Sequence, residues 1–483
     1  MRKYILKIGV SLGIIMMLTA SCDDYLELTP KDDLVQDEFW QNKEQVNSAV
    51  AGIYASMNES GFTERLLLWG EARAEMMVSI DASNNAQNMM KNYLVPTNGY
   101  VSWTNFYKTI NYCNMVLAFA DQAKENDPTF TELALNRYKA EAQTLRSLVY
   151  FFLVKNYKEI PLIAEATLSD QADFYPAKSS EGEVLNHITS DILAVIDYLP
   201  VSYEEGVKYD KGRLTKGAAY SILADIYLWQ EKYDDCIEAC QKVIDLQKYS
   251  LVEKSEWFNQ IFFEGNSSEG IFELQFDDLF STLRSYFYYF DPKVKPYDEI
   301  QDLFPEEVED VRANRGSYDR STGTVFKYAG VDAKAGTFRS YTEFYNTWIF
   351  YRYADVLLMQ AEAYLLSENN KDEAKAYDLI NQVHMRATGI PLEADNLYYD
   401  LLKERQKEFA FEGKRWYDLL RYARRNSFQD QYLITELVEI KAGADNADII
   451  ESYYSDTASY FLPIYQNEIN LNSNLEQNPY YIN

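Results

Sequence analysis

The chain has 483 residues and a formal net charge of -29, with 75 acidic against 46 basic side chains. That field repels phosphate backbones, which excludes nucleic acid as a natural partner, and it repels other polyanions unless a local basic patch overrides it. Hydrophobic residues at 47% and charged residues at 25% describe a globular protein with a sizeable core, and the 41 tyrosines are the compositional surplus. Tyrosine joins a flat apolar face to a hydroxyl, which suits helix interfaces first and binding grooves second.

The chain opens "MRKYILKIGVSLGIIMMLTASC". Basic residues precede an apolar run from Ile8 to Ala20, too short to cross a bilayer and right for a signal-peptide core. Thr19, Ala20 and Ser21 lead directly into Cys22, a pattern that resembles a bacterial lipobox, with Thr19 where leucine is commonest. The expectation is a signal peptide over 1–21 and a lipid on Cys22; the alternative is an ordinary secretory signal with a chance cysteine. The early acids of "DDYLELTPKDDL" resemble a surface-export signal of Bacteroidetes lipoproteins. Anchoring by lipid differs from insertion, since no later segment is apolar enough to span a membrane.

Helical periodicity then dominates roughly 39–249 and 348–425. Ala224, Tyr227, Leu228, Asp235, Ala239 and Val243 align at one constant offset with Ala361, Tyr364, Leu365, Asp372, Ala376 and Ile380. Small and aromatic residues at these spacings let antiparallel helices approach closely, as in tetratricopeptide-like pairs. The large offset predicts pairs scattered along the chain. Cys236 and Cys240, i and i+4 on one of these helices, are read as small apolar fillers, because only His187 and His384 exist to complete a zinc site. No cofactor is implied, nor a metal site.

Two stretches lack helical period: the Asn-rich "DASNNAQNMMKNYLVPTNGY" at 81–100, and the aromatic 250–346 with "SYFYYFDPKVKPYDEI". Long loops inside a compact body are functional or disordered, and abundant aromatics argue against disorder. A pyranose has an apolar C–H face and a rim of hydroxyls, so exposed tyrosine or tryptophan with Asn and Asp nearby makes a sugar platform. Candidate ligand contacts are Asp81, Asn84, Asn85, Tyr93, Trp103, Tyr286, Tyr288, Tyr289 and Tyr297. Against this, Trp103 opens a strongly helical run and "SYFYYF" reads equally as a buried strand, while Trp348 is read as core.

"ERQKEFAFEGKRWYDLLRYARR", 404–425, is dense enough in acids, bases and aromatics to suggest catalysis. Glu404, Glu408 and Glu412 fall on one helix face with Gly413 as the C-terminal stop, and each should meet a cation, with Arg405, Arg415 and Arg421 at hand. Hydrolysis by paired carboxylates wants acids across a cleft, so the motif is read as scaffold.

This motif resembles the C-terminal hallmark of the SusD/RagB family of nutrient-binding outer-membrane lipoproteins. So do "YRYADVLLMQAEAYL" at 351–365, the ending "FLPIYQNEINLNSNLEQNPYY", and "LRSLVYFFLVKNYKEIPLI" at 145–163, where Lys158-Glu159 replaces the usual Gly-Asp and is expected to alter only a turn. The resemblance implies a mostly α fold: a superhelix of tetratricopeptide-like pairs carrying an irregular ligand-binding part, with regions 22–250 and 251–483 in one compact body. It implies a non-enzymatic glycan binder on the cell surface, within polysaccharide utilization, acting as a lid on a SusC-like TonB-dependent transporter. The alternatives are a helical protein-interaction scaffold or peptide-binding lid, and, less favoured, a surface glycosidase. Lack of net positive charge favours a neutral glycan over a sulfated or uronic one.

Overall fold

The computed structural model describes residues 39–80, 84–167, 175–277, 282–442 and 454–482. Cys22 and the leader expected over 1–21 lie outside these. Ten helices form the scaffold: α1 Lys43–Asn58, α2 Thr104–Asn126, α3 Glu132–Tyr157, α4 Glu181–Val195, α5 Lys216–Trp229, α6 Tyr233–Asp245, α7 Tyr353–Leu366, α8 Glu373–Thr388, α9 Leu397–Glu408 and α10 Arg415–Phe428. Their starts are written locally. The side chains of Asn42, Thr131, Thr215 and Asp372 each accept a hydrogen bond from a first-turn backbone N–H, and Ser180 with Glu183 closes a capping box. Each such cap stabilises its helix by about 1 kcal/mol. Gly389 ends α8 at φ 83°, a left-handed position that a side chain would resist.

From α1 to α9 each helix packs on the next, giving one continuous superhelix. The pairs α5/α6 and α7/α8, expected to be scattered, are neighbours: α6 packs against α7. A 107-residue excursion between them leaves the stack and returns, so the sequence offset hid a spatial repeat. Small residues make the close approach possible, since Ala224, Ala239, Ala361 and Ala376 are buried at the facing positions. Cys236 and Cys240 are buried free thiols in the same layer, as apolar fillers should be.

Strands are few and short: β1 Met77–Ser79, β2 Gly270–Leu274, β3 Val294–Pro296, β4 Val331–Asp332, β5 Thr337–Phe338 and β6 Trp348–Arg352 are the ones that matter here. β2 and β6 pair antiparallel, with Trp348 opposite Leu274 and every residue of both buried. This pair carries the excursion back to α7. β1 pairs with β3 (Met77 opposite Pro296), and β4 with β5 in a hairpin turned by Gly336 at φ 66°.

The dense motif is buried ionic scaffold. Glu404 receives Arg312 at 2.5 Å and His384 at 3.0 Å; Glu408 receives Arg312 at 3.0 Å, Arg352 at 2.6 Å and Arg386; Glu412 receives Lys327 at 2.7 Å and Arg352 at 2.9 Å. The cations are therefore not the three expected from the motif itself. Arg405 turns to Asp355 and Asp418, Arg421 to Glu362 and Asp418, and Arg415 to Glu75. Nor does Gly413 end the helix. α9 stops at Glu408, and Gly413, at φ 73°, lies in the turn before α10. Its neighbours there explain the glycine: the carboxylate of fully buried Glu71 accepts the backbone N–H groups of Phe411, Gly413 and Lys414 at 2.5, 2.9 and 3.2 Å.

These buried acids titrate in opposite senses. Burial pushes Asp355 up, but Lys414 and Arg405 outweigh it and hold the carboxyl at about 2; Glu362, against Arg421 and Arg425, is likewise held at about 2. Burial pushes Glu71 up to about 8 against the pull of the Phe411 amide and Lys327. A depressed carboxylate contributes stability above its unfolded value, lost as pH falls through its folded one; a raised carboxylate contributes below its unfolded value, lost as pH rises. Urea midpoints should therefore drop steeply below about pH 4 and decline gently between about pH 5 and 8. A flat profile from about pH 5 to 8 would contradict the Glu71 assignment.

Candidate functional site

Against this rigid frame one surface stands out as aromatic and exposed. The "SYFYYF" segment is not a strand: Thr282–Phe287 is a short helix, after which the chain turns at Tyr288–Asp291 and enters β3. The β4–β5 hairpin delivers Phe338 beside that turn, and the following bend delivers Tyr341 and Phe344. Gly330, at φ 71°, sits where a Cβ would lie 2.7 Å from the Phe344 ring, so its lack of a side chain lets the bend close.

The result is a run of touching rings. Tyr341 meets Tyr288 edge-on at 5.2 Å, Tyr288 meets Phe290 at 5.6 Å, Phe290 meets Phe338 at 5.2 Å, and Phe338 meets Tyr289 at 4.5 Å. Phe290 is 64% exposed, Tyr341 49% and Phe338 38%. Single exposed aromatics are ordinary, but contiguous ones mark a surface built to be covered. The inner side of the strip is anchored: the Tyr289 hydroxyl donates to Asp319 Oδ2 at 3.3 Å, and Tyr288 leans on Phe344. Burial pushes the Asp319 carboxyl up, yet hydrogen bonds from the Ser321 hydroxyl and amide and from Tyr289 hold it below its usual value. At the Tyr341 end the Arg284 guanidinium lies over the ring at 4.3 Å and donates from Nη1 to the Tyr341 carbonyl at 3.0 Å.

The two loops singled out in the sequence are brought side by side. Ile80 N–H donates to the Lys293 carbonyl at 2.9 Å and Tyr297 N–H to the Met76 carbonyl at 3.1 Å, extending the β1–β3 pairing at both ends. The short helix Asn84–Met90 packs on β1. Tyr93 follows it, 62% exposed, and Asn85 is exposed with its carbonyl accepting from Asn98 Nδ2. Tyr288, Tyr289 and Tyr297 are half-buried. Asp81 and the Asn84 side chain lie outside the described residues.

Two expected contacts face inward. Trp103 is 5% exposed and packs edge-on against Tyr157 and Tyr107, because it caps the start of α2 where the helix meets α3. Tyr286 is 6% exposed, on the inner face of its short helix. Trp348 is core, as expected. Phe290, Phe338 and Tyr341 were not anticipated. Phe338 and Tyr341 sit far along the chain from "SYFYYF", and only the Gly336 turn signals the hairpin that delivers them.

Elsewhere, a cavity of about 200 Å³ lies between Lys158, Lys178, Phe461 and Pro479, and one of about 250 Å³ lies beside His384 and Glu404. Lys158 caps α3 at φ 67°, so the substituted turn keeps a left-handed residue without glycine. Among the described residues no group of three or more His, Cys, Asp and Glu side chains is placed to hold a metal ion. Among them, too, no helix is long and apolar enough to cross a membrane.

Solved structures of the SusD superfamily share this chain's fold. A Bacteroides vulgatus structure of that superfamily superposes with a TM-score of 0.75 at 22% identity, covering 92% of this chain and 100% of that one. A Bacteroides thetaiotaomicron structure gives 0.72 at 20%, covering 92% and 99%. Residues 263–481 match the model of the SusD family, and residues 24–228 match a model described as starch-binding associating with outer membrane. SusD-like protein P38 of Formosa agariphila is 25% identical, with 85% of this chain and 89% of that protein covered, and a SusD-like protein of Bacteroides ovatus is 23% identical, with 84% and 81% covered. The chain belongs to the SusD family.

Proposed function

We propose that the protein binds a glycan at the outer membrane, on the cell surface, through the ring strip of Tyr288, Tyr289, Phe290, Phe338 and Tyr341. A lipid on Cys22 holds it there, and it passes its ligand to a SusC-like TonB-dependent transporter without chemistry on the sugar. The observation that carries this is the contiguous exposure of those rings on a rigid frame. Stacked pyranose faces gain dispersion and lose water there, while Asn85 and Tyr93 on the neighbouring loop can extend the platform to further sugar hydroxyls. The absence of chemistry is supported by the state of the acids in the dense motif. Glu404, Glu408 and Glu412 are each held by buried cations and follow one another along a single packed segment, whereas a hydrolytic pair sets its two acids across a cleft.

Affinity electrophoresis through polysaccharide gels, using the soluble chain that starts after Cys22, tests the reading. Phe290→Ala and Phe338→Ala should each weaken the retarding polymer's binding roughly tenfold. Thermal midpoints should barely move for Phe290, since exposed substitutions fall within about 0.5 kcal/mol. Retardation that ignores both substitutions would overturn the site, and clearing of the gel would overturn the non-enzymatic reading.

A further inference from the structure

Net charge favours a neutral ligand, but the ends of the strip differ from the rest of the molecule. Most buried arginines here finish on carboxylates, as Arg312, Arg352 and Arg421 do. Arg284 does not. Its hydrogen bond goes to the Tyr341 carbonyl, and no carboxylate among the described residues lies within ion-pair distance. At the opposite end the buried Phe326 lies beneath the strip, 6.5 Å from Tyr289, and Arg315, exposed, lies over that inner ring at 5.9 Å, again without an ion pair among the described residues. The nearby acids are held by hydroxyls, Asp319 by Ser321 and Tyr289 and Glu343 by Ser340 at 2.9 Å; Asp319 also feels the Arg315 charge but makes no ion pair with it.

In a chain with 75 acids, two arginines at the two ends of one aromatic surface with no ion pair among the described residues are a local reversal of the global field. Screening confines the global charge to within about 8 Å at physiological salt, so the adjacent guanidinium dominates at the strip itself. A guanidinium is a planar fork of N–H donors matched to two oxygens of one anion. Among the described residues Arg284 commits one N–H, to the Tyr341 carbonyl, and stacking on Tyr341 fixes the plane of its remaining donors.

We propose that the strip takes an acidic glycan, one carrying uronic carboxylates or sulfate esters, with sugar faces on the phenyl rings and an anionic substituent on Arg284 and on Arg315. The inference rests on the glycan-binding reading above and names the ligand's charge.

Titration calorimetry with oligogalacturonate, chondroitin sulfate oligosaccharides, and neutral galactan and malto-oligosaccharides separates the two. At least one acidic ligand should bind more tightly than any neutral one, and because chondroitin sulfate carries both uronate and sulfate, unsulfated chondroitin run beside it tells which group is read. Its affinity should fall as salt rises, and Arg284→Gln should weaken it roughly 10- to 100-fold while leaving the thermal midpoint in place. Arg315→Gln should lower it further. Tighter binding of a neutral ligand, sensitive to Phe338→Ala and indifferent to Arg284→Gln, would overturn the acidic assignment and leave glycan binding intact. No binding of any acidic ligand would overturn it as well.

Discussion

Glu408→Gln should destabilise the protein by about 3–5 kcal/mol, the largest loss expected from any single charge. Glu408 is fully buried and shared by Arg312 and Arg352, from an irregular stretch and the β6 strand of the excursion, and by Arg386 from α8. Burial pushes its carboxyl up, but Arg386, Arg352 and Arg312 outweigh that and leave it well below the ordinary range. Removing the negative charge leaves three guanidinium groups facing one another in low dielectric, with only Glu269, Glu404, Glu412 and Asp310 to share. Urea denaturation measures the loss. Adding Arg386→Leu to Glu408→Gln should recover part of it, because one surplus cation is withdrawn. A loss below about 1 kcal/mol would mean that the ion cluster does not hold the excursion to the scaffold.

Gly70→Ala should be comparably damaging for a steric reason. Gly70 sits in the one-turn π-helix Leu68–Ala72, and a Cβ there would lie 2.0 Å from the Gly413 carbonyl oxygen, a backbone atom that cannot swing aside. Gly413 is itself at φ 73°, with Trp348 2.7 Å from where its own Cβ would be. Moving this turn also pulls Phe411 and Gly413 N–H off Glu71. Unsatisfied buried amides cost about 1–3 kcal/mol each, so a loss of roughly 3 kcal/mol or more is expected, read as a lowered urea midpoint. By contrast Gly52→Ala, where no atom lies within 4 Å of the added carbon, should be neutral or stabilising, as alanine is the better helix former. Equal effects at the two glycines would contradict the close-approach argument.

The scaffold was legible in the sequence because it is periodic and locally capped. The alignment of Ala224–Val243 with Ala361–Ile380 found two helix pairs correctly, but sequence offset carries no information about a returning excursion, so their stacking was invisible. The scaffold role of the dense motif followed from three glutamates on successive turns, whereas their partners did not. Arg312, Lys327 and Arg352 are 56 or more positions from the glutamates they pair with, and nothing in the spacing points to them. At the surface, composition located the two loops that β1 and β3 join, yet alternation within "SYFYYF" suggested a strand where a short helix forms. A ring's exposure depends on what lies over it, which is why Tyr286 and Trp103 turn inward while Phe290, read only as one face of a possible strand, faces out. Phe338 and Tyr341 could be placed beside the turn only once the hairpin was folded.

The central claim is that the ring strip is where a glycan sits. A crystal structure of the soluble chain with the oligosaccharide that binds it most tightly tests this directly. Sugar rings should lie over Phe290, Phe338 and Tyr341, with the scaffold unchanged and the saccharide uncut. Sugar bound instead in the cavity beside Lys158 or the one beside His384, with the strip bare, would contradict it.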